Sequence, residues 1–121
     1  MKYLMKYLLA AGILSWLSTF GFTQGQDVGR IEFDSNCASC HGKSGKGDGP
    51  VGEALRTAPS DLTVLAKNND GVFPTEVLYL VIDGRRTLRA HGNYEMPVWG
   101  ARLSRERILA ISGYLRSIQV K

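Results

Sequence analysis

The most regular hydrophobic pattern in the chain lies near its C-terminal end. Four apolar residues repeat there with the spacing of one helical face: Ile108, Ile111, Leu115 and Ile118. Ser104 stands before them as a favourable N-cap, and Leu103 takes the staple position that pairs with Ile108. The pattern predicts a helix over residues 105–118.

A second apolar pattern precedes the two cysteines of the chain. Val28, Ile31 and Phe33 follow Asp27, which is a plausible N-cap. We therefore predict a short amphipathic helix over residues 27–40, with these three residues as its apolar side.

Further helical segments are predicted between these two. A helix over Thr75–Ile82 ends before Gly84, a residue suited to the end of a helix. Shorter helical stretches are expected at 51–56 and, with Ser60 as the cap, at 61–67. No segment alternates for long as a strand does, so we predict an all-α domain.

The segment between the last two predicted helices has no helical period. It is TLRAHGNYEMPVWGARLS, and it contains Gly92, Pro97 and Gly100. An irregular stretch of this length inside a small domain is more often a binding loop than a connector. It also contains Met96, the one methionine outside the N-terminal presequence.

The N terminus has the composition of an export signal. Two lysines precede residues 7–22, which carry no charge and are mostly apolar. This stretch is short for a spanning helix. We predict a signal peptide over residues 1–25 and one exported domain over residues 26–121, located in a bacterial periplasm. The alternative is an uncleaved anchor that keeps the domain on the membrane, facing the periplasm.

The charge balance argues against nucleic-acid binding. The chain has 15 Lys and Arg against 11 Asp and Glu; without the two presequence lysines, 13 against 11 leaves +2. This is too small for a nucleic-acid-binding surface. Residues 26–84 carry five basic and nine acidic side chains, whereas 85–121 carry eight basic and two acidic. The positive charge is therefore concentrated in the C-terminal part.

Both cysteines and one of the two histidines fall within five residues, in the order Cys37-Ala38-Ser39-Cys40-His41. This C-x-x-C-H pattern is that of c-type haem attachment. On a helical turn the two thiols are spaced to form thioethers with the two vinyl groups of one haem, and the adjacent imidazole turns toward the iron. The motif predicts one covalently bound haem c per chain, with Cys37 and Cys40 as attachment sites and His41 as the proximal ligand.

Three other interpretations of the motif fit less well. A thioredoxin-like redox pair needs a βαβ context, which the chain lacks. A zinc site would have to combine Cys37, Cys40 and His41 with His91, and adjacent ligands fit zinc spacing poorly. A disulfide between the two cysteines would close a very small loop and stabilise little.

The chain resembles the small monohaem class I c-type cytochromes over residues 27–121. The likeness rests on CASCHG, on the GKGDGP loop, on EMPVWG and on the final helix LSRERILAISGYLRS. It implies an all-α fold of four to five helices around one haem, with the first and last helices crossing closely and a Met-Pro loop covering the haem. Carried over to this chain, Met96 is the distal iron ligand.

The chemistry of methionine suits that assignment. A neutral thioether favours ferrous iron, and Pro97 keeps the residue before it extended. His91 is the other candidate and would make a bis-histidine site. An open sixth position is the third possibility.

The resemblance also suggests roles for residues around the haem. Pro50 matches the proline whose carbonyl accepts a hydrogen bond from the proximal imidazole. Tyr94 and Trp99 flank the methionine and are expected to line the haem pocket. A simple turn proline and core-filling aromatic rings are the alternatives. Gly113 is unfavourable inside a helix, and a close approach of the first helix near Gly29 would explain it.

With both axial positions filled, the iron has no site for a substrate, so the expected function is one-electron transfer and not catalysis. The expected partners are other redox proteins. We expect no nucleic acid and no small-molecule substrate, and membrane contact only if the presequence is retained. The alternatives are a fixed cytochrome subunit of a larger membrane oxidase or dehydrogenase, and a ligand-binding or enzymatic haem protein with a displaceable methionine.

Overall fold

The structure is a computed structural model that describes residues 21–85 and 96–121. Its helices are α1 (Gly21–Asn36), α2 (Ala38–His41), α3 (Thr75–Asp83) and α4 (Arg105–Ser117). Single 3-10 turns lie at Gly52–Ala54, Leu62–Val64, Lys67–Asn69 and Trp99–Ala101. The two described ranges contain no strand. The predicted all-α fold is confirmed.

The sequence located α3 and α4 to within one residue at each end. α3 is followed by Gly84, whose φ of 66° lies in the left-handed region that a residue without a Cβ adopts freely. At the start of α4 the Ser104 hydroxyl accepts a hydrogen bond from the backbone N–H of Arg107 at 3.4 Å. Leu103 and Ile108 are both buried, as the staple predicts.

α1 is longer than its predicted span. Asp27 lies inside the helix and therefore does not cap it. The boundary expected after Gly25 also falls inside α1, and residues 1–20 of the expected signal peptide lie outside the described residues. No helix in the described part of the chain is long and apolar enough to cross a membrane.

α1 and α4 cross in close contact. A Cβ at Gly29 would collide with the backbone carbonyl of Ala110 and would lie 3.0 Å from Cβ of Tyr114. The rings of Phe33 and Tyr114 pack with their centroids 5.3 Å apart. The predicted crossing of the first and last helices is confirmed.

The residues that make this crossing differ from the predicted ones. Gly113 is exposed, and a Cβ there would meet nothing within 4 Å. The prediction that Gly113 lies against α1 is therefore wrong, because the inward stripe of α4 leaves this position facing solvent. On α1, Val28 and Ile31 are 46% and 64% exposed. Only Phe33 of the three predicted apolar residues is buried, since α4 covers just the side of α1 that carries Gly29.

The short helices predicted at 51–56 and 61–67 are 3-10 turns. The first is Gly52–Ala54 and the second is Leu62–Val64. The cap of the second is Asp61, whose carboxylate accepts from the backbone N–H of Thr63 at 2.8 Å. The expected cap, Ser60, lies one residue earlier and has a different role.

The core is small and is surrounded by half-buried apolar side chains. Its buried members are Phe33, Ala38, Leu78, Ile82, Leu103, Ile108, Ile111 and Leu115. The partly buried side chains packed against it are Cys37, Leu62, Leu65, Phe73, Tyr79, Met96, Trp99, Tyr114 and Ile118. A domain of this size usually needs an added covalent or metal constraint, and this outer layer includes residues of the predicted haem site.

Candidate haem site

Cys37, Cys40 and His41 lie on one helical turn where α1 meets α2. The N–H of Cys37 donates to the Phe33 carbonyl at 2.8 Å, and the carbonyl of Cys37 accepts from the N–H of His41 at 2.9 Å. Cys37 itself has φ −118°, which marks the break between the two helices. Both cysteines are free and half-buried. The turn thus carries two thiols and one imidazole within five consecutive residues.

The Cys37 thiol is the more deeply placed functional group of the motif. Burial raises the pKa of Cys37 to about 12, and the Glu32 carboxylate and Cys40 add to the shift. The thiol therefore stays protonated at neutral pH. Within the described ranges, no three His, Cys, Asp or Glu side chains group as metal ligands.

The imidazole of His41 is oriented by a backbone carbonyl. Its Nδ1 lies 3.1 Å from the carbonyl oxygen of Ser60. A carbonyl can only accept, so this contact requires the proton on Nδ1. The lone pair of Nε2 is then available to a metal ion, which is the arrangement that second-shell partners of ligating histidines produce.

The partner of His41 was predicted to be Pro50, and the structure gives Ser60 instead. Pro50 is exposed. The residues on either side of it donate backbone hydrogen bonds to the carbonyls of Ser39 and Cys40, at 2.9 and 3.1 Å. This segment therefore packs on the backbone of the attachment turn and not on the imidazole. Sequence analysis missed Ser60 because a backbone carbonyl leaves no side-chain signal.

Hydrogen bonds of the residues that follow Ser60 hold its carbonyl in place. The Asp61 carboxylate accepts from the backbone N–H and from the hydroxyl of Thr63, at 2.8 and 2.6 Å. The N–H of Leu62 donates to the Gly45 carbonyl at 2.6 Å. These bonds fix the chain that follows Ser60 and thus the direction of its carbonyl.

Met96 stands at the start of the second described range. Its side chain is half-buried and packs against the same core cluster as Cys37 and Trp99. The carbonyl of Trp99 accepts from the N–H of Leu103 at 2.8 Å, which joins the loop to the start of α4. His91 and Tyr94, the other predicted residues of this loop, lie outside the described residues.

The residues present fit a haem. Two thiols on one turn supply attachment points, His41 offers a neutral nitrogen, and Met96 offers a soft, neutral sulfur. The half-buried layer around the core supplies an apolar lining of the kind that cofactor sites use. It includes Leu62, Leu65, Phe73, Tyr79 and Trp99.

Comparison with known families identifies the family of the chain. A family model described as cytochrome c oxidase, cbb3-type, subunit III, matches residues 24–115. The chain belongs to this family. As a cbb3-type subunit III family member it is a c-type cytochrome, and the resemblance found in the sequence is confirmed. Membership implies haem-based electron transfer. Comparison with curated proteins and with solved structures gives no significant match.

Proposed function

We propose that this chain is a one-electron carrier in which His41 and Met96 are the axial ligands of one covalently attached haem c. The observation that carries the proposal is the contact between Nδ1 of His41 and the Ser60 carbonyl. It leaves Nε2 of a neutral imidazole free to bind iron on the turn that also carries both cysteines. When bound, the haem supplies a reversible one-electron change at its iron.

The chain's own residues attach and orient that group. Cys37 and Cys40 form the two thioethers, and the half-buried side chain of Cys37 places one of them against the core. The Ser60 carbonyl fixes the tautomer of His41 and raises its basicity as a ligand. Attachment and proximal ligation therefore depend on a single turn of the chain.

Met96, the second proposed iron ligand, sets the redox potential and the ligand access of the iron. Its thioether carries no charge, so it favours the reduced iron and raises the potential relative to a second imidazole. It also occupies the position at which a substrate or a small ligand would bind. Met96 is half-buried and packs against the core, so its side chain belongs to the apolar lining.

We also propose an exported carrier that works with redox proteins outside the cytoplasm. The charge-free stretch at residues 7–22 behind two lysines supports export through a cleaved signal peptide. The basic C-terminal part supports an acidic redox partner.

A second candidate is a fixed subunit of a larger membrane oxidase. The description of the matching family model, an oxidase subunit, favours it. Retention of residues 1–25 in the mature protein, together with copurification with a haem-containing membrane enzyme, would support this candidate. A processed chain released with the periplasmic fraction would support the carrier.

The purified holoprotein tests the proposal. We expect one haem to remain on the chain after denaturation, low-spin spectra in both oxidation states, a reversible one-electron titration and no rapid reaction with carbon monoxide. A high-spin reduced state that binds carbon monoxide rapidly would overturn the carrier assignment and favour a ligand-binding or enzymatic haem protein.

A further inference from the structure

A buried carboxylate lies at the C-terminal end of α3, where the proposed electron transfer gives it no role. Asp83 is 4% exposed. Oδ1 and Oδ2 accept from Nε of Arg85 at 2.9 and 3.1 Å, and Oδ1 also accepts from Nη2. The backbone N–H of Arg85 also donates to it, at 3.2 Å. The Arg85 side chain is 60% exposed, so the pair joins a buried anion to a cation at the surface.

This pair lies against the chain that follows Met96. A Cβ at Gly100 would collide with the Asp83 carboxylate and would lie 2.7 Å from Nε of Arg85. One residue after Asp83, a Cβ at Gly84 would lie 3.2 Å from Cα of Val98. The chain that leaves α3 and the chain that follows Met96 therefore run side by side at this point.

The sequence between these two points carries the proposed distal ligand. The chain leaves the pair at Arg85 and returns beside it at Val98 and Gly100, and Met96 belongs to the stretch between. The Asp83–Arg85 pair thus lies at the base of this stretch, where both of its ends meet.

We propose that the Asp83–Arg85 pair is a positioning device for Met96. By holding the chain at Val98 and Gly100, two and four residues after Met96, it keeps the sulfur within reach of the iron and shortens the time for which the sixth position is open. Gly100 is part of the device, because its lack of a side chain lets the pair touch the loop backbone. This inference rests on the proposed function, since it requires Met96 to be an iron ligand.

The physical basis is the entropy of the chain next to Met96. A ligand only two residues from a fixed point in the chain returns to the metal more often than one whose nearest fixed point is farther away, as a shorter tether raises effective concentration. A guanidinium–carboxylate contact suits this role, because several charge-assisted hydrogen bonds, here from Nε and Nη2, fix orientation as well as distance. The carboxylate end of the contact is buried, whereas the guanidinium end lies at the surface.

The test compares the ferric holoproteins of Asp83→Asn, Arg85→Gln and Gly100→Ala with the wild type. The probe is imidazole, which can bind the iron only while the sulfur is away. We expect imidazole to bind about tenfold faster or more in each variant, the size expected for loss of a hydrogen bond to a charged group. The sulfur-to-iron charge-transfer band should weaken in parallel, and Arg85→Lys should fall between Arg85→Gln and the wild type.

Arg107→Gln is the matched control. Arg107 also pairs with a carboxylate, that of Glu32, at 2.6 and 2.7 Å, but this pair joins α1 to α4 and not α3 to the chain that follows Met96. This variant should lower the free energy of unfolding and leave the imidazole rate and the charge-transfer band unchanged. If Asp83→Asn does not fold, Arg85→Gln changes only an exposed side chain and still provides the comparison.

The possible failures are distinguishable. A wild-type protein without a charge-transfer band from sulfur would contradict Met96 ligation, and with it the proposed function. A wild-type protein that has this band, with imidazole rates equal in all the variants, would overturn the positioning role alone. If the imidazole-binding rate rises as much in Arg107→Gln as in Arg85→Gln, the increase reflects a loss of global stability. That result would also overturn the positioning role.

Discussion

Gly29 of α1 lies directly against the backbone carbonyl of Ala110 in α4, with no room for a methyl group between them. Gly29→Ala should force the two helices apart and lower the free energy of unfolding by about 1–3 kcal/mol, the usual cost of overpacking. Chemical denaturation of the holoprotein, followed by circular dichroism, measures this change.

Gly113→Ala, in the same pair of helices, should have the opposite effect on the free energy of unfolding. Gly113 is exposed and has open space around it, so the new methyl group only removes conformational freedom from the unfolded chain. We expect a gain of about 0.5–1 kcal/mol. If Gly113→Ala were the destabilising change and Gly29→Ala the neutral one, the described crossing would be incorrect.

The contrast between these two glycines shows what the sequence could and could not predict. Ser104 and Gly84 mark helix ends through local bonds, so α3 and α4 were predicted within a residue. Which glycine lies in the crossing depends on residues far apart in the chain, and helical periodicity did not determine that for α1. Val28 and Ile31 were misassigned for the same reason, since they lie on the side of α1 that α4 leaves uncovered.

The candidate site also divides into residues that the sequence predicts and a contact that only the folded chain reveals. Cys37, Cys40 and His41 are contiguous, so their chemistry and their common turn were evident from the sequence. The partner of His41 is a carbonyl 19 residues away. A backbone group carries no sequence signature, and Pro50 was assigned instead because a proline is visible in the sequence.

Gln119 joins the end of the chain to the segment that follows the His41 partner. Its side-chain oxygen accepts from the N–H of Ala66 at 2.9 Å, and its nitrogen donates to the carbonyls of Leu62 and Leu115 at 2.8 Å each. Gln119→Ala should leave partly buried backbone groups without these bonds and lower the free energy of unfolding by about 1–3 kcal/mol. Denaturant titration measures this change in the free energy of unfolding.

Ser117→Ala is the control for Gln119. The Ser117 hydroxyl is exposed, and among the described residues it bonds within its own helix, to the Tyr114 carbonyl at 2.7 Å. We expect a much smaller effect, because water can replace this bond. Equal effects of the two substitutions would contradict a specific bridging role for Gln119.

Asp61 should make stability depend on pH at the acid end. Hydrogen bonds from the Thr63 hydroxyl and backbone N–H lower the pKa of Asp61 below its ordinary value. The folded state therefore favours the carboxylate. The resulting stabilisation is fully present above the unfolded pKa, near 4, and is lost as pH falls through the lower folded value. The stability difference between wild type and Asp61→Asn should shrink as pH falls from about 5 to about 2.

A second substitution tests the cause of that pH dependence. Thr63→Val removes the hydroxyl that donates to Asp61 at 2.6 Å and keeps the shape of the side chain. The pKa of Asp61 should move back toward its ordinary value, so the acid-induced loss of stability should become smaller. Denaturant titrations across the pH range measure both variants. An unchanged pH profile in Thr63→Val would contradict the assigned cause.

The arginines of the C-terminal part should attract anionic redox partners. Of this group, which includes Arg85, Arg86, Arg89, Arg102 and Arg105, residues 86 and 89 lie outside the described residues. Arg102 is exposed beside the turn that carries Trp99. Arg102→Glu should slow oxidation of the reduced protein by ferricyanide a few-fold at low salt, because surface charge acts mainly on association rate.

Lys67→Glu is the control for charge alone. Lys67 is also exposed but belongs to the acidic part of the chain, and its reversal changes the net charge by the same amount. Stopped-flow rates at low and high ionic strength should show a larger effect for Arg102→Glu that disappears with salt. Equal effects of both substitutions would indicate net charge and not a docking surface.

The central claim, His41 and Met96 ligation of one haem c, is tested most directly by the spectrum and potential of two variants. Met96→Ala should keep its covalently bound haem, lose the sulfur-to-iron charge-transfer band, become high-spin or take a substitute ligand, and have a lower potential. His91→Ala should keep the wild-type spectrum and potential. If His91→Ala instead abolishes the low-spin state while Met96→Ala preserves it, the site is bis-histidine and the account is contradicted.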